Sequence, residues 1–186
     1  MPFIKLDVKD VIFDPKVQTY CVSPSYKCPS YGHSWTCPPE APYFESEVAK
    51  FKECYLIYYE LNLSDYVKNE KAKYPEKSET AIKNTVYTNK LLHNKLESEI
   101  LDFLDKYQEH YEEKLILWDG HCRICSNKVD KGCTYDSGKP CRYPDKRKYS
   151  MEAVGVDVTT TVSNLNLNIQ WPPKDFLYRF GLVCLK

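Results

Sequence analysis

The sequence predicts an α+β fold in a single domain, 1–186, with a ferredoxin-like sandwich of a small mixed sheet and two main helices, and with cysteine-rich loops. Three observations lead to this prediction. Segments with strand periodicity alternate along the chain with segments of helical periodicity. Six prolines between positions 15 and 42 exclude regular structure from one long segment. The 186 residues, 42% of them hydrophobic, suffice for one core.

Strands are predicted where residues alternate or where β-branched and aromatic residues form a short apolar run. Four segments meet these criteria: 3–8, 54–61, 115–118 and 176–185. A further strand is predicted from Leu165 to Trp171, where apolar residues alternate with Asn and Gln before Pro172 and Pro173 turn the chain.

Helices are predicted from apolar residues that recur at roughly three to four positions. A short helix is expected over 44–51, and the longest over about 78–112, with Ser78 as its cap and Glu79 in its first turn. Another begins after Ser150 and carries four apolar residues on one face, namely Met151, Val154, Val158 and Val162. The charged segment 64–79 is interpreted as a solvated linker.

The charge balance narrows the class of protein. Lys plus Arg and Asp plus Glu number 26 each, which argues against a general nucleic-acid binder or a polybasic membrane protein. No apolar run approaches the roughly 20 residues that span a bilayer, and the first residues lack the layout of a signal peptide. We therefore expect a cytoplasmic protein without nucleic-acid or membrane partners. No phosphate-cradling glycine loop, nucleotide fingerprint or nucleophile motif is evident.

Seven of the nine cysteines fall into two loops. The loop 20–43 carries Cys21, Cys28 and Cys37, and the loop 120–149 carries Cys122, Cys125, Cys133 and Cys141. Thiols stay reduced in the cytosol, so these cysteines are predicted to be metal ligands, with a disulfide framework as the alternative. Cys54 and Cys184 lie in predicted strands and are interpreted as buried apolar residues.

The second group has the spacing C-x2-C-x7-C-x7-C, and four thiolates suit either a tetrahedral zinc ion or a [4Fe–4S] cluster. The long separation of the later pair favours the cluster. Basic residues outnumber acidic ones in this loop, and cationic surroundings would offset the negative charge of a thiolate-ligated cluster. These basic residues are Arg123, Lys128, Lys131, Lys139, Arg142, Lys146, Arg147 and Lys148. The alternative is that they only face water.

The first group has three cysteines, two of them followed by proline, and no evident fourth. If it holds a [4Fe–4S] cluster, one iron is left for another ligand, such as His33, Cys54, water or a substrate. His33 is otherwise a polar loop residue. Tyr31 and Trp35 are expected to pack around the cysteines.

Three segments carry a resemblance to a known family: YKCPSYGHSWTCPP, WDGHCRICSNKVDKGCTYDSGKPCRYPDKRKYSMEAVGVDV and YRFGLVCLK. Together they resemble the predicted metal-binding proteins grouped as domain of unknown function 2284, over most of the chain. The resemblance implies that the same seven cysteines bind metal. Many members come from anaerobes and methanogenic archaea, which favours iron–sulfur clusters. Residues 150–158 belong to the family signature, and we expect them to pack a helix beside the second group, with Glu152 and Asp157 as minor candidates for chemistry.

Three functions follow from these observations. The first is a cytoplasmic iron–sulfur protein with one or two [4Fe–4S] clusters that serves electron transfer or redox support of an anaerobic enzyme, with a redox protein or enzyme as partner. The second is an enzyme that binds substrate at the open position of the three-cysteine cluster. The third is a zinc-stabilised interaction module without a redox role.

Overall fold

The computed structural model describes residues 2–86, 90–128, 132–165, 167, 169–170 and 172–186. The strands are β1 (Phe3–Leu6), β2 (Val22–Ser23), β3 (Tyr26–Lys27), β4 (Glu53–Asn62), β5 (Lys114–Leu117) and β6 (Phe176–Leu185). The helices are α1 (Glu45–Val48), α2 (Leu63–Lys73), α3 (Glu79–Thr85), α4 (Lys90–Lys106), α5 (Ile124–Lys128) and α6 (Val158–Ser163). The fold class is therefore α+β, as predicted.

Four strands form one sheet in the order β1-β4-β6-β5. The central strands β4 and β6 pair along their full lengths, from Glu53 opposite Leu185 to Asn62 opposite Phe176. Both are covered on two faces over much of their length, which explains why they are apolar runs rather than alternating sequences. The four main predicted strands are confirmed to within two residues at each end. The sheet is antiparallel rather than mixed, and the ferredoxin-like arrangement is not confirmed.

The core lies on both faces of this sheet. On one face α4 contributes Leu96, Ile100 and Phe103 against Ile57 and Val183. A Cβ added at Gly181 in β6 would lie 2.6 Å from Ile100 Cδ1, so glycine permits this close helix–sheet contact. On the other face the buried residues come from the sheet and from the segments around α1 and α6: Leu6, Val11, Val48, Cys54, Leu56, Leu117, Met151, Val154, Val156, Val162, Leu182 and Cys184.

The predicted long helix over 78–112 is wrong in extent, because α3 and α4 are separate helices and α4 ends at Lys106. Ser78 is the expected cap, since its Oγ accepts a hydrogen bond from the Ala81 N–H at 3.2 Å. Tyr107 and Tyr111 continue the apolar spacing and pack against the same core without being helical. The periodicity therefore ran past the end of the helix. Residues 87–89 lie outside the described chain.

The segment 64–79, interpreted as a linker, contains most of α2. Asn62 caps this helix, because its Oδ1 accepts the Asp65 N–H at 3.0 Å. Only Leu63 and Val67 of its 11 residues are buried. So narrow an apolar stripe is easily missed among charged residues.

The helix predicted after Ser150 is interrupted. Ser150 Oγ does accept the Ala153 N–H at 3.1 Å, but the single 3-10 turn Glu152–Val154 ends at Gly155, which has φ +96°. A Cβ at this position would lie 2.3 Å from the Tyr43 ring. α6 then begins after Asp157, whose Oδ1 accepts the Thr160 N–H at 2.9 Å.

Two smaller predictions also differ from the structure. The helix expected over 44–51 is limited to the four residues of α1. No strand is assigned to the described part of 165–171, while Asn166, Asn168 and Trp171 lie outside the described chain. Among the helices that the structure describes, none is long and apolar enough to cross a membrane.

Candidate metal centre

The four cysteines of the second loop line one small cavity of about 20 Å³. Cys125 lies on α5, Cys122 just before it, and Cys133 and Cys141 on the loop that follows. Gly138, at φ +66°, ends a 3-10 turn between the last two cysteines and lets the chain fold back. Thr134 Oγ1 closes the same loop by donating to the Pro140 carbonyl at 3.0 Å. The cysteines that the spacing groups are thus adjacent in the fold.

The first loop covers this cavity. Ser34, Trp35 and Thr36 form part of its wall. Trp35 Nε1 donates to Thr134 Oγ1 at 3.3 Å, and its ring meets the Tyr135 ring edge-on at a centroid distance of 5.0 Å. Trp35 therefore packs as expected, although around the second group of cysteines rather than its own.

Two polar contacts hold the loops together at their exposed side. His33 Nδ1 lies 2.8 Å from Asp136 Oδ1, and the Tyr135 hydroxyl donates to Glu40 Oε1 at 3.2 Å. One ring nitrogen of His33, a candidate fourth ligand, is thus engaged by the second loop. Cys54, the other candidate side chain, is fully buried in the sheet with its Sγ 2.7 Å from Cys184 Sγ. The interpretation of both sheet cysteines as core residues is confirmed.

Three basic residues of the second loop have partners other than its cysteines. Arg123 Nη2 and Lys148 Nζ both pair with Glu97, at 2.9 and 2.7 Å. Arg142 Nη1 donates to the Gly132 carbonyl at 2.7 Å. Lys131 lies outside the described residues.

Arg147 is different because it lines the four-cysteine cavity. The Tyr149 hydroxyl and the Cys141 thiol together raise the pKa of its guanidinium. Its Nε is buried and has no hydrogen-bond partner among the described residues. A buried donor of this kind favours an acceptor in the cavity, such as a thiolate or sulfide sulfur.

The three cysteines of the first loop also converge. The short hairpin β2–β3 brings Cys21 and Cys28 together, and the Cys28 N–H donates to the Cys21 carbonyl at 2.8 Å. Burial raises the pKa of the Cys21 thiol to about 11, and the Cys28 thiol and the Glu152 carboxylate add to the effect. All three influences disfavour a thiolate at Cys21, whereas a bound metal cation would stabilise it.

Cys37 connects the two groups. Burial raises the pKa of its thiol to about 11, although hydrogen bonds from Ser34 and Thr36 act in the opposite direction. Their hydroxyls lie 3.1 Å apart in the interior. Since Ser34 and Thr36 also line the four-cysteine cavity, Cys37 of the first group directly follows a residue in the wall of the second group's cavity. Neighbouring Cα atoms are only about 3.8 Å apart.

Glu152 lies beside the first group, not the second as expected from the sequence. Gln18 helps to fix this arrangement, because its amide donates to the Ala153 carbonyl at 2.9 Å and the Ala41 carbonyl at 3.0 Å. Burial raises the pKa of Glu152, and the Asp119 carboxylate raises it further. Glu152 is an exposed residue that lines a second, larger cavity.

The larger cavity has a volume of about 560 Å³. Its walls come from Val17 and Tyr20 near the first group, from the turn at Glu152, from α6 and from the first half of β6. The family signature contains Glu152 and Asp157, which line it. That signature was the only sequence signal for this cavity.

A charged cluster at the cavity wall was missed by the sequence analysis. Asp119 Oδ2 lies 2.6 Å from Arg179 Nη1 and 2.9 Å from His93 Nδ1. Burial would raise the pKa of Asp119, but His93 and Arg179 outweigh it and the pKa is lowered. Asp119 is therefore ionised beside Glu152, whose pKa moves in the opposite direction.

Within the described part of the chain, no three Cys, His, Asp or Glu side chains are placed for ligation of one metal ion. Which of the seven loop cysteines bind metal therefore stays a prediction. The donor set fits a metal by its chemistry, because it offers soft thiols in two groups. One group lies beside the Arg147 guanidinium, and the other lies beside the Glu152 carboxylate.

The fold and the site define an α+β protein with two cysteine-rich loops that share a wall. Residues 4–185 match the family model described as predicted metal-binding protein (DUF2284), so the chain belongs to this family. No curated protein and no solved structure matches it. The family description agrees with the metal binding that the cysteines predict.

Proposed function

We propose that this protein is an iron–sulfur protein with two centres, which serves electron transfer or the redox support of an enzyme. The observation that carries the proposal is the convergence of Cys122, Cys125, Cys133 and Cys141 on one small cavity. Four thiolates satisfy the four irons of a [4Fe–4S] cluster, which supplies one-electron transfer when bound.

The surroundings of the four cysteines support a redox role. Arg147 brings a positive charge and a buried N–H to the cavity, and both stabilise negative charge on sulfur. Trp35 and Ile124 restrict water access to the same space. Apolar walls and hydrogen bonds to sulfur are the features by which proteins tune iron–sulfur centres.

The second centre would be held by Cys21, Cys28 and Cys37. Its three thiolates leave one metal position without a cysteine ligand. The segment from Ser34 to Cys37 contributes to both sites and so keeps the three-cysteine group close to the four-cysteine group. Electron exchange between two centres requires such proximity.

A second function, an enzyme that binds substrate at this open position, is favoured by one observation. The Glu152 carboxylate acts electrostatically on Cys21 and also lines the 560 Å³ cavity. An open metal position beside a cavity of this size has the layout of a catalytic site. Here the chain's own residues would bind and orient the substrate, with Glu152 nearest the cysteines.

Anaerobic purification followed by iron and acid-labile sulfide analysis tests the proposal. We expect iron and sulfide in equal amounts, and a brown protein that absorbs near ~400 nm. A colourless protein that contains zinc and no sulfide would instead indicate the zinc-stabilised interaction module.

A further inference from the structure

The larger cavity lies where the sheet has an open edge. β6 pairs with β4 along its whole length, but β5 pairs only with Leu182–Leu185. Among the described residues no strand pairs with the first half of β6 on this side. The cavity of about 560 Å³ lies here, between β6, α6 and the turn near Val17. Small-molecule sites usually measure about 300–1,000 Å³.

Much of the cavity surface is apolar. Val17, Val162 and Leu177 are buried side chains on its wall. Tyr20 and Phe176 lie at its border and are 66% and 39% exposed. Exposed aromatic rings beside a concave apolar surface favour a ligand with an apolar part.

The charges in the cavity are mostly negative, and two of its three carboxylates are already engaged. Asp119 pairs with Arg179 and His93. Asp157 accepts hydrogen bonds from the Thr160 N–H and hydroxyl, at 2.9 and 2.7 Å. Glu152 has Ser150 and its own backbone as hydrogen-bonding neighbours, and the Arg179 guanidinium, which pairs with Asp119, acts on it electrostatically.

A further acceptor is available at Gln170. Its Oε1 is buried and has no hydrogen-bond partner among the described residues. A carboxylate and a carbonyl oxygen both need a donor, and a protonated amine provides three N–H groups and a positive charge. An anionic ligand would meet three carboxylates and the Arg179 guanidinium, which already pairs with Asp119.

We propose that this cavity binds a small organic molecule that carries a protonated amine on an apolar body, with Glu152 as the partner of the amine. The Glu152 carboxylate acts electrostatically on the Cys21 thiol, and the lining residue Tyr20 directly precedes Cys21 in the chain. The amine end of the ligand therefore lies toward the three-cysteine group. That the bound amine lies beside a metal centre rests on the function proposed above, whereas binding of the amine to the cavity does not.

Calorimetric titration of the full chain with three matched probes tests the binding. The probes are 2-phenylethylamine, 2-phenylethanol and 3-phenylpropanoate, which present an ammonium, a hydroxyl and a carboxylate on a similar body. We expect the amine to bind about tenfold more tightly than the alcohol, since a hydrogen bond to a charged group is worth that factor or more. The carboxylate should bind most weakly. Equal affinities, or a preference for the carboxylate, would overturn the proposal.

Variants locate the site. Glu152→Gln should weaken amine binding about tenfold and leave alcohol binding unchanged, whereas Glu76→Gln, an exposed residue away from the cavity, should change neither. Ser163→Phe, at a lining position on α6, should occupy part of the cavity and weaken binding of both probes. Unchanged amine affinity in Glu152→Gln or in Ser163→Phe contradicts the proposal.

The metal hypothesis is tested separately. If the protein binds the amine but contains no iron or sulfide, the proposed function is refuted and this inference stands. If it contains iron and sulfide but does not bind the amine, the proposed function stands and this inference is refuted. If both hold, the amine should change the electron paramagnetic resonance spectrum of the reduced protein. An unchanged spectrum would refute the placement beside the three-cysteine group.

Discussion

The two cysteine groups present the same ligand chemistry in different surroundings. Around Cys122, Cys125, Cys133 and Cys141 the chain leaves about 20 Å³, closed by residues of the first loop. Beside Cys21 the turn at Glu152 borders a cavity of about 560 Å³. The difference is one of free space, because the four-cysteine cavity is closed around its thiols, whereas the three-cysteine group borders a cavity with room for a ligand.

The local charges differ in the same way. Arg147 lines the four-cysteine cavity, while Glu152 raises the pKa of Cys21 in the other group. A cation near a thiolate-ligated cluster stabilises the added electron, and a carboxylate destabilises it. We therefore expect the four-cysteine centre to have the higher reduction potential.

Removal of one ligand from each group should have the largest effect. Cys133→Ala should lose the centre of its own group, and Cys28→Ala that of the other, so each should retain about half of the iron and sulfide. Cys54→Ala is the matched control, because this buried thiol lies in the sheet. Metal analysis after anaerobic purification measures these contents.

If both loop variants kept the full iron content, neither group would be a metal centre as proposed. If either variant lost all iron, the two centres would depend on each other, and the shared segment Ser34 to Cys37 would be the physical reason.

A pair of glycine substitutions compares the backbone of the two regions. Gly155→Ala should lower the free energy of unfolding by about 3 kcal/mol, because it combines a positive φ with a Cβ 2.3 Å from the Tyr43 ring. Gly138→Ala in the second loop should cost only about 1 kcal/mol, since its φ is also positive but, apart from its chain neighbours, no described residue has an atom within 4 Å of the new Cβ. Urea unfolding measures both, and equal losses would contradict the close packing at Gly155.

Arg147→Gln tests the charge difference. Loss of the guanidinium beside Cys141 should lower the reduction potential of the four-cysteine centre by about 60 mV, a tenfold change for one electron. Arg142→Gln is the control, because Arg142 donates to the Gly132 carbonyl and does not line the cavity. Redox titration under anaerobic conditions separates the two centres, and an equal shift of both would exclude a local effect.

The sequence predicted the parts of this molecule that depend on local patterns. β4 and β6 were found because strands buried on both faces need uninterrupted apolar residues. The four cysteines of the second loop were grouped by spacing alone, and the fold brings them to one cavity. The end of α4 at Lys106 was missed because Tyr107 and Tyr111 prolong the apolar period without being helical.

The features that the sequence did not reveal depend on distant contacts. Asp119, His93 and Arg179 meet only because α4, the end of β5 and β6 lie side by side. The cavity depends on how far β5 extends along β6, which no single segment specifies. Trp35 of the first loop covers the cysteines of the second loop, and this too is a contact between residues distant in the sequence.

The smallest expected effect lies in the sheet, away from both loops. Glu53 accepts hydrogen bonds from Lys5, from the Tyr55 hydroxyl at 2.7 Å and from the Tyr107 hydroxyl at 2.9 Å. Chiefly through Lys5, these contacts lower the pKa of Glu53 to about 2 from 4.5. A lowered pKa in the folded state means that the stabilisation is complete above pH 4.5 and is lost as the pH falls toward 2.

Glu53→Gln should therefore remove part of the decline in unfolding free energy between pH 5 and pH 3, by less than about 1 kcal/mol because the ion pair is largely exposed. Urea unfolding at the two pH values measures this difference, and an equal decline in wild type and variant would contradict the assignment. The iron and sulfide contents at pH 7 should not change. A changed iron or sulfide content in Glu53→Gln would mean that the sheet also affects the metal centres. The difference between the two cysteine groups would then not be confined to their loops.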